Sequence, residues 1–147
     1  AIPEAFRSLI GNRIFGCDDC QLVCPWNRYS NFSKEDDFTP RHGLDSIELA
    51  ELFGWDEPTF LKKTEGSPIR RTGYQGWLRN LAVGLGNSGG EGEGGAAMIQ
   101  VLQQRSSDPS ELVREHVRWA IDQLALEKAA TSLPLVEKQP RKIRHLL

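Results

Sequence analysis

Apolar side chains recur with a helical period over much of the chain, and two stretches carry the same stripe. Tyr74, Leu78, Leu81, Ala82 and Leu85 fall at i, i+4, i+7, i+8 and i+11. Val113, Val117, Ala120, Ile121 and Leu124 repeat the series 39 residues later, with Arg118 in the place of Arg79. Each stripe predicts an amphipathic helix, and each is preceded by a proline after a small or capping residue, Ser67-Pro68 and Asp108-Pro109. Between them a helix is expected around Ala96 to Gln104, set off by a Gly-rich loop from Gly89 to Gly95. A helix-loop-helix unit with a period of ~40 residues is the mark of HEAT-like repeats. Two ordinary amphipathic helices in a bundle give the same stripes.

Upstream the elements are shorter. Pro3 to Ile10 reads as a helix stopped by Gly11, and the turn Gly11-Asn12-Arg13 leads into the cysteines. Trp26 to His42 is polar, rich in Asn, Ser and Asp, and reads as a linker. Asp45 is expected to cap a helix through about Phe53, stopped by Gly54. Asp56 caps another, with Pro58 in its first turn and Gly66 beyond its end.

With 147 residues and 39% hydrophobic content, the chain suits a soluble protein of one or two domains. No apolar run approaches the roughly 18 residues of a membrane span, and the first residues lack a signal-peptide pattern. A cytoplasmic location without membrane contact is therefore expected. The lack of an initial Met suggests a fragment or a processed chain. A net charge of −2 argues against a protein that coats nucleic acid indiscriminately, yet the charge is uneven. Lys62, Lys63, Arg70, Arg71 and Arg79 share a stretch whose only acid is Glu65, and Lys138, Arg141, Lys142 and Arg144 stand beside Glu137 alone.

All three cysteines lie within eight residues, as Cys17-Asp18-Asp19-Cys20-Gln21-Leu22-Val23-Cys24-Pro25. The odd count and tight spacing disfavour a disulfide framework. Structural zinc wants four ligands, and the nearest histidine, His42, lies across the linker. A redox Cys-x-x-Cys pair would lack its usual βαβ surroundings. The spacing C-x2-C-x3-C-P matches the last three members of the bacterial ferredoxin run C-x2-C-x2-C-x3-C-P, whose fourth cysteine ligates the other cluster. By that logic Cys17 and Cys20 serve one iron-sulfur cluster and Cys24 another. Ile14 stands where the run has its first cysteine, and the missing ligands must come from elsewhere.

The string from Gly16 to Asn27 closely resembles the second cysteine motif of epoxyqueuosine reductases. Pro3 to Arg7 with Gly11 to Gly16 is similar to that family's lead-in, and Gly66 to Arg71 with Trp77 to Val83 to its helical-repeat signature. Leu112 to Ala120 resembles its closing helix. The resemblance runs to about Leu124. It implies a mainly α chain: the end of a ferredoxin-like iron-sulfur domain over residues 1–30, a linker over 31–44, HEAT-like helical repeats over 45–130 and a basic tail over 131–147. It implies an oxidoreductase that reduces an epoxide on the modified wobble base of transfer RNA, the last step of queuosine formation. Cobalamin would do the chemistry, and two 4Fe-4S clusters would bring electrons from an external donor. The helical repeats would grip the anticodon arm, and the protein is expected to be a monomer. The corrin-binding domain, the first cysteine motif and the acidic proton donor of the family have no counterpart here. No catalytic residue is therefore assigned, and this stretch alone should not catalyse the reaction. Asp18, beside the first ligand, is a candidate to approach the corrin.

For RNA the candidates are Lys62, Arg70, Arg71, Arg79 and Arg118, because guanidinium groups at a helix start and along one face pair well with phosphates. Arg79 sits about 100° from Leu78, off the apolar stripe, so that it and Arg118 would line one groove. A solvated charged face is the plainer reading. Trp77 and Trp119, at the margin of the stripes, are candidates to stack on bases, whereas Tyr74 belongs to the core side. His42 and His116 are assigned to packing or capping. Rival readings are an electron carrier with a helical protein-docking module, and a helical nucleic-acid-binding module with a structural metal.

Overall fold

The computed structural model describes residues 1–31, 33–35, 39–44, 46–89 and 92–131. Among them are α1 (Glu4–Ile10), α2 (Asp19–Leu22), α3 (Leu49–Gly54), α4 (Glu57–Lys63), α5 (Gly73–Gly86), α6 (Gly92–Gln103) and α7 (Glu111–Thr131), with 3-10 turns at Pro25–Tyr29 and Pro68–Thr72 and no strand. The chain is thus mainly α. No helix among the described residues is long and apolar enough to cross a membrane.

The two stripes form the centre. α5 packs on α7, α6 lies against α7, and α3, α4 and α1 cover the rest of α5. Leu78, Leu81, Ala82 and Leu85 of α5 meet Val113, Val117, Ala120 and Leu124 of α7 in one core that Phe53, Phe60 and Leu102 complete. The helices approach closely at Gly86, where an added Cβ would stand 2.9 Å from the Ala120 Cα. Only a residue without a side chain fits there.

Capping follows the sequence at α4. The Asp56 carboxylate accepts the Thr59 N–H at 2.9 Å, which holds its pKa below the usual value. Elsewhere the boundaries move. α3 begins at Leu49 after Glu48, later than expected, because His42 and Gly43 both have positive φ and turn the chain first. Asp45, its expected cap, lies outside the described residues, as does the basic tail with Lys138, Arg141, Lys142 and Arg144. Gly92 to Gly95 open α6 rather than forming a loop.

Trp77 overturns its assignment as a base-stacking residue. It is 2% exposed and stacks on Trp55 with ring centres 6.3 Å apart, while Phe60 packs at 5.8 Å. The turn between α3 and α4 folds over that flank of α5, so the margin of the stripe becomes interior. The buried indole N–H has no acceptor among the described residues. That costs about 1–3 kcal/mol, less than the burial of ~150–250 Å² of ring at roughly 25 cal/mol per Å² returns.

Arg105, after α6, holds this corner. Its Nε donates to the Phe53 carbonyl at 3.1 Å, and its Nη2 donates to the Trp55 carbonyl at 2.8 Å and to the Tyr74 hydroxyl at 3.0 Å. Tyr74 in turn donates to the Trp55 carbonyl at 2.7 Å. Half-buried as the stripe requires, its phenol is pushed up in pKa by desolvation.

Candidate functional site

The cysteine segment is a short turn held by its own backbone. Gly16 and Asp18 both adopt positive φ, 65° and 53°, and swing the chain into the single turn of α2. Cys17 precedes that turn, Cys20 lies on it, and Cys24 follows, its N–H donating to the Gln21 carbonyl at 3.1 Å. Pro25 then starts a 3-10 turn, and the Asn27 amide donates back to the Gln21 carbonyl. Arg13 pairs with Asp19 at 3.2 Å, and Asp18 accepts a 3.4 Å bond from Gln21.

All three thiols are free; Cys17 and Cys20 are exposed and Cys24 is half-buried. Among the described residues no three His, Cys, Asp or Glu side chains gather closely enough to enclose a metal ion. Three soft, accessible sulfurs at this spacing fit iron-sulfur ligation in kind. They fall short in number, since each 4Fe-4S cluster takes four cysteines. Their apolar sequence neighbours stand in the open: Leu22 and Val23 are each 79% exposed and Trp26 75%.

Behind this turn the lead-in is fastened to the helices by polar contacts that local sequence patterns do not announce. The Asn87 side chain, at the end of α5, donates to the Arg7 and Gly11 carbonyls at 2.8 and 2.9 Å. Asn80, two turns earlier on the same face, donates to the Ile14 carbonyl at 2.8 Å. Between them the Ile14 side chain fills the space over Gly84, where its Cδ1 lies 2.5 Å from the place of an added Cβ. Ile14 is therefore an anchor. Arg7, only 4% exposed, forms an ion pair with Glu115 and lies 5.8 Å from the centre of the half-buried Trp119 ring. The Arg7 hydrogen bond holds the Glu115 carboxyl below its usual pKa. His116 is buried. Its Nε2 accepts the Ile2 N–H at 3.1 Å, so its Nδ1–H donates to the Leu112 carbonyl at 2.7 Å. Desolvation pushes the imidazole pKa down. His116 thus serves packing and holds the Ile2 N–H, within the packing or capping role expected of it, while no local sequence pattern marks the Arg7–Glu115 pair or the two asparagines.

The basic candidates are spread over four elements. Lys62 lies on α4, Arg79 on α5 and Arg118 on α7. Arg70 and Arg71 lie on a 3-10 turn rather than at the start of α5, because Gly73, with φ of 66°, breaks the chain between the two. Lys62, Arg70, Arg71 and Arg118 are exposed, and none of their side chains forms a hydrogen bond or ion pair among the described residues. Arg79 is half-buried. It lines a cavity of about 690 Å³ with Glu57, Tyr74, Gln75, Asp108 and Ser110. Arg118 lines a separate depression of about 120 Å³ with Ser106 and Asp122, so the expected shared groove is two hollows.

No family model and no solved structure matches the chain. Curated relatives do. The epoxyqueuosine reductase of Pseudomonas aeruginosa is 60% identical over 121 residues, covering 82% of this chain and 32% of that protein. That of Salmonella typhimurium is 51% identical over 145 residues, 98% of this chain and 36% of the relative. That of Escherichia coli K12 is 54% identical over 123 residues, 84% and 31% of the two chains. The chain thus spans about a third of the length of the curated relatives it matches. Identity of this order, over nearly all of a chain that carries the cysteine motif and both helical stripes, means that the chain belongs to the epoxyqueuosine reductase family.

Proposed function

We propose that this chain is the carboxy-terminal, cluster-ligating and RNA-holding part of an enzyme that reduces epoxyqueuosine to queuosine at the wobble position of transfer RNA. The carrying observation is the thiol-bearing turn itself: three free cysteines at C-x2-C-x3-C-P spacing, with exposed Leu22, Val23 and Trp26 on the same short stretch. Exposed apolar side chains of that size call for a covering surface, and the relatives are about three times as long as the stretch matched here. In the full-length protein Cys17 and Cys20 would hold one 4Fe-4S cluster and Cys24 a second, with the remaining ligands upstream. When bound, the clusters would supply electrons to a cobalamin seated in the upstream part. Asp18 would then face the corrin side.

This chain's own work is to fix and to bind. α5 and α7 hold the lead-in through Asn80, Asn87 and Glu115. The unneutralised Lys62, Arg70, Arg71 and Arg118, with Arg79, give a helical body of modest net charge the local cations that an RNA backbone needs. HEAT-like stacking of the α5 and α7 units would set their spacing. The test is conversion of epoxyqueuosine-containing transfer RNA by the full-length protein under anaerobic reducing conditions. Cys24→Ala should abolish conversion without preventing RNA binding; a fully active Cys24→Ala protein would defeat the proposal.

A further inference from the structure

α1 is inverted with respect to an ordinary surface helix. Its one buried residue is Arg7, whose Nε donates to the Ile2 carbonyl at 3.0 Å and whose Nη2 pairs with Glu115. Its exposed residues include Ala5, Phe6 and Leu9, with Phe6 57% and Leu9 75% exposed. Phe6 and Leu9 stand three residues apart and Ala5 and Leu9 four, so the three share one side of the helix. A helix of seven residues does not hold itself in water, since isolated helices shorter than roughly 12–15 residues are marginal. Polar straps to α5 and α7 hold this one, and the apolar side that ordinarily stabilises a surface helix is unused. Most of the open apolar surface lies at the same end of the chain. Among the described residues, seven large apolar side chains are more than half exposed; six of them lie within residues 6–29 and the seventh is Leu126 on α7. Arg13 clamps α1 to the cysteine turn, donating to the Ile10 carbonyl at the end of α1 at 3.3 Å and to the Asp19 carboxylate at the start of α2 at 3.2 Å.

We propose that the Ala5, Phe6 and Leu9 side of α1 docks on the cysteine-bearing remainder of the longer polypeptide, the part that supplies the ligands missing from this turn. The choice of occupant rests on the reading of cluster ligation given above. The curated relatives are about three times as long as the stretch matched here, which leaves about two thirds of such a polypeptide to provide the cover. A second copy of this chain is the poorer occupant: it would raise the thiols to six, whereas two 4Fe-4S clusters take eight. Burial of Phe6 and Leu9 supplies the attraction, which is non-directional. Position is supplied by Arg13, which ties the docked helix to α2, so that seating α1 sets where the turn from Cys17 to Cys24 meets the incoming ligands.

The experiment uses the full-length protein with its clusters loaded anaerobically. A photolysed diazirine labels exposed side chains, and in the natural protein Phe6 and Leu9 should lose most of the label that Leu126 takes in the same molecule, at every protein concentration. Equal label on the three overturns the docking. Shielding that appears only at high concentration gives the face to a second copy and overturns it as well. With benzoylphenylalanine in place of Leu9, light should join position 9 to a cysteine-bearing segment of the same chain; a crosslinked dimer, or no crosslink, contradicts the proposal. Leu9→Glu should quicken amide exchange at Ser8 to Ile10, whose N–H groups close the helix, by about tenfold, because an unpaired carboxylate in an apolar seam is costly. Leu126→Glu should leave that exchange unchanged, and a Leu9→Glu protein that exchanges as the natural one does overturns the docking. Should Leu9→Glu not fold, the label on the natural protein decides. Iron and sulfide analysis of the same preparation separates the two readings: a protein without either that still shields α1 and crosslinks within the chain overturns cluster ligation and leaves the docking standing.

Discussion

The helical body and the cysteine turn of the same chain are built on opposite terms. In the body Leu78, Leu81, Val113, Val117 and Leu124 are wholly buried, and even Arg7, Arg105 and His116 find partners within the chain. In the turn Leu22, Val23, Trp26 and Tyr29 stand exposed around three free thiols. One region is stabilised by what it already touches. The other holds groups whose value depends on what is brought to them, and the contacts of Asn80, Asn87 and Glu115 are where the first supports the second.

Core truncation should break this contrast most. Leu81→Ala removes a side chain with no exposure at the α5–α7 seam and should cost about 2–5 kcal/mol of stability, read as a lowered denaturation midpoint. Truncating Leu22, 79% exposed, should leave that midpoint unchanged. Next comes the strap. Glu115→Ala strands the buried Arg7 and should cost about 1 kcal/mol, the low end for an unpaired buried group because Glu115 itself is screened by solvent. Proteolysis near residues 2–11 should quicken in the same variant.

Much of the body could be read from the sequence, since helix periodicity and caps such as Asp56 are local signals. What escaped depends on distance along the chain. Arg7 meets Glu115 across 108 residues and Asn80 meets Ile14 across 66, and no spacing rule marks such pairs. Trp77 was misplaced for a related reason: an edge position on an isolated helix is buried once α3 and α4 cross it. At the site the cysteine spacing marks three thiols on one short turn, whereas the anchoring role of Ile14 follows from the bare backbone at Gly84, 70 residues away in sequence.

Acidity should sharpen the comparison further. The His116 pKa is depressed by burial, so the unfolded chain binds the proton more readily. Stability from the neutral ring is complete above the usual imidazole value of about 6.5 and falls as pH drops through the lower folded value. The Glu115 carboxyl, also depressed, adds a loss of the same sign at lower pH. Melting temperature should therefore decline on acidification below that value, and the imidazole part of the decline should vanish in His116→Gln.

Smallest in stability, and confined to binding, is the effect of the exposed cations. Replacing Arg70 and Arg71 by Ala should leave folding unchanged and reduce the slope of log affinity for transfer RNA against log salt by about 1–2. An unaltered slope would remove this 3-10 turn from the proposed RNA surface.

The most direct measurement is the iron and acid-labile sulfide content of the full-length protein purified without oxygen. Two clusters predict about eight irons and eight sulfides per chain, with both falling when Cys24 is replaced by Ala. A protein carrying zinc, or no metal and no sulfide, would contradict the account at its centre.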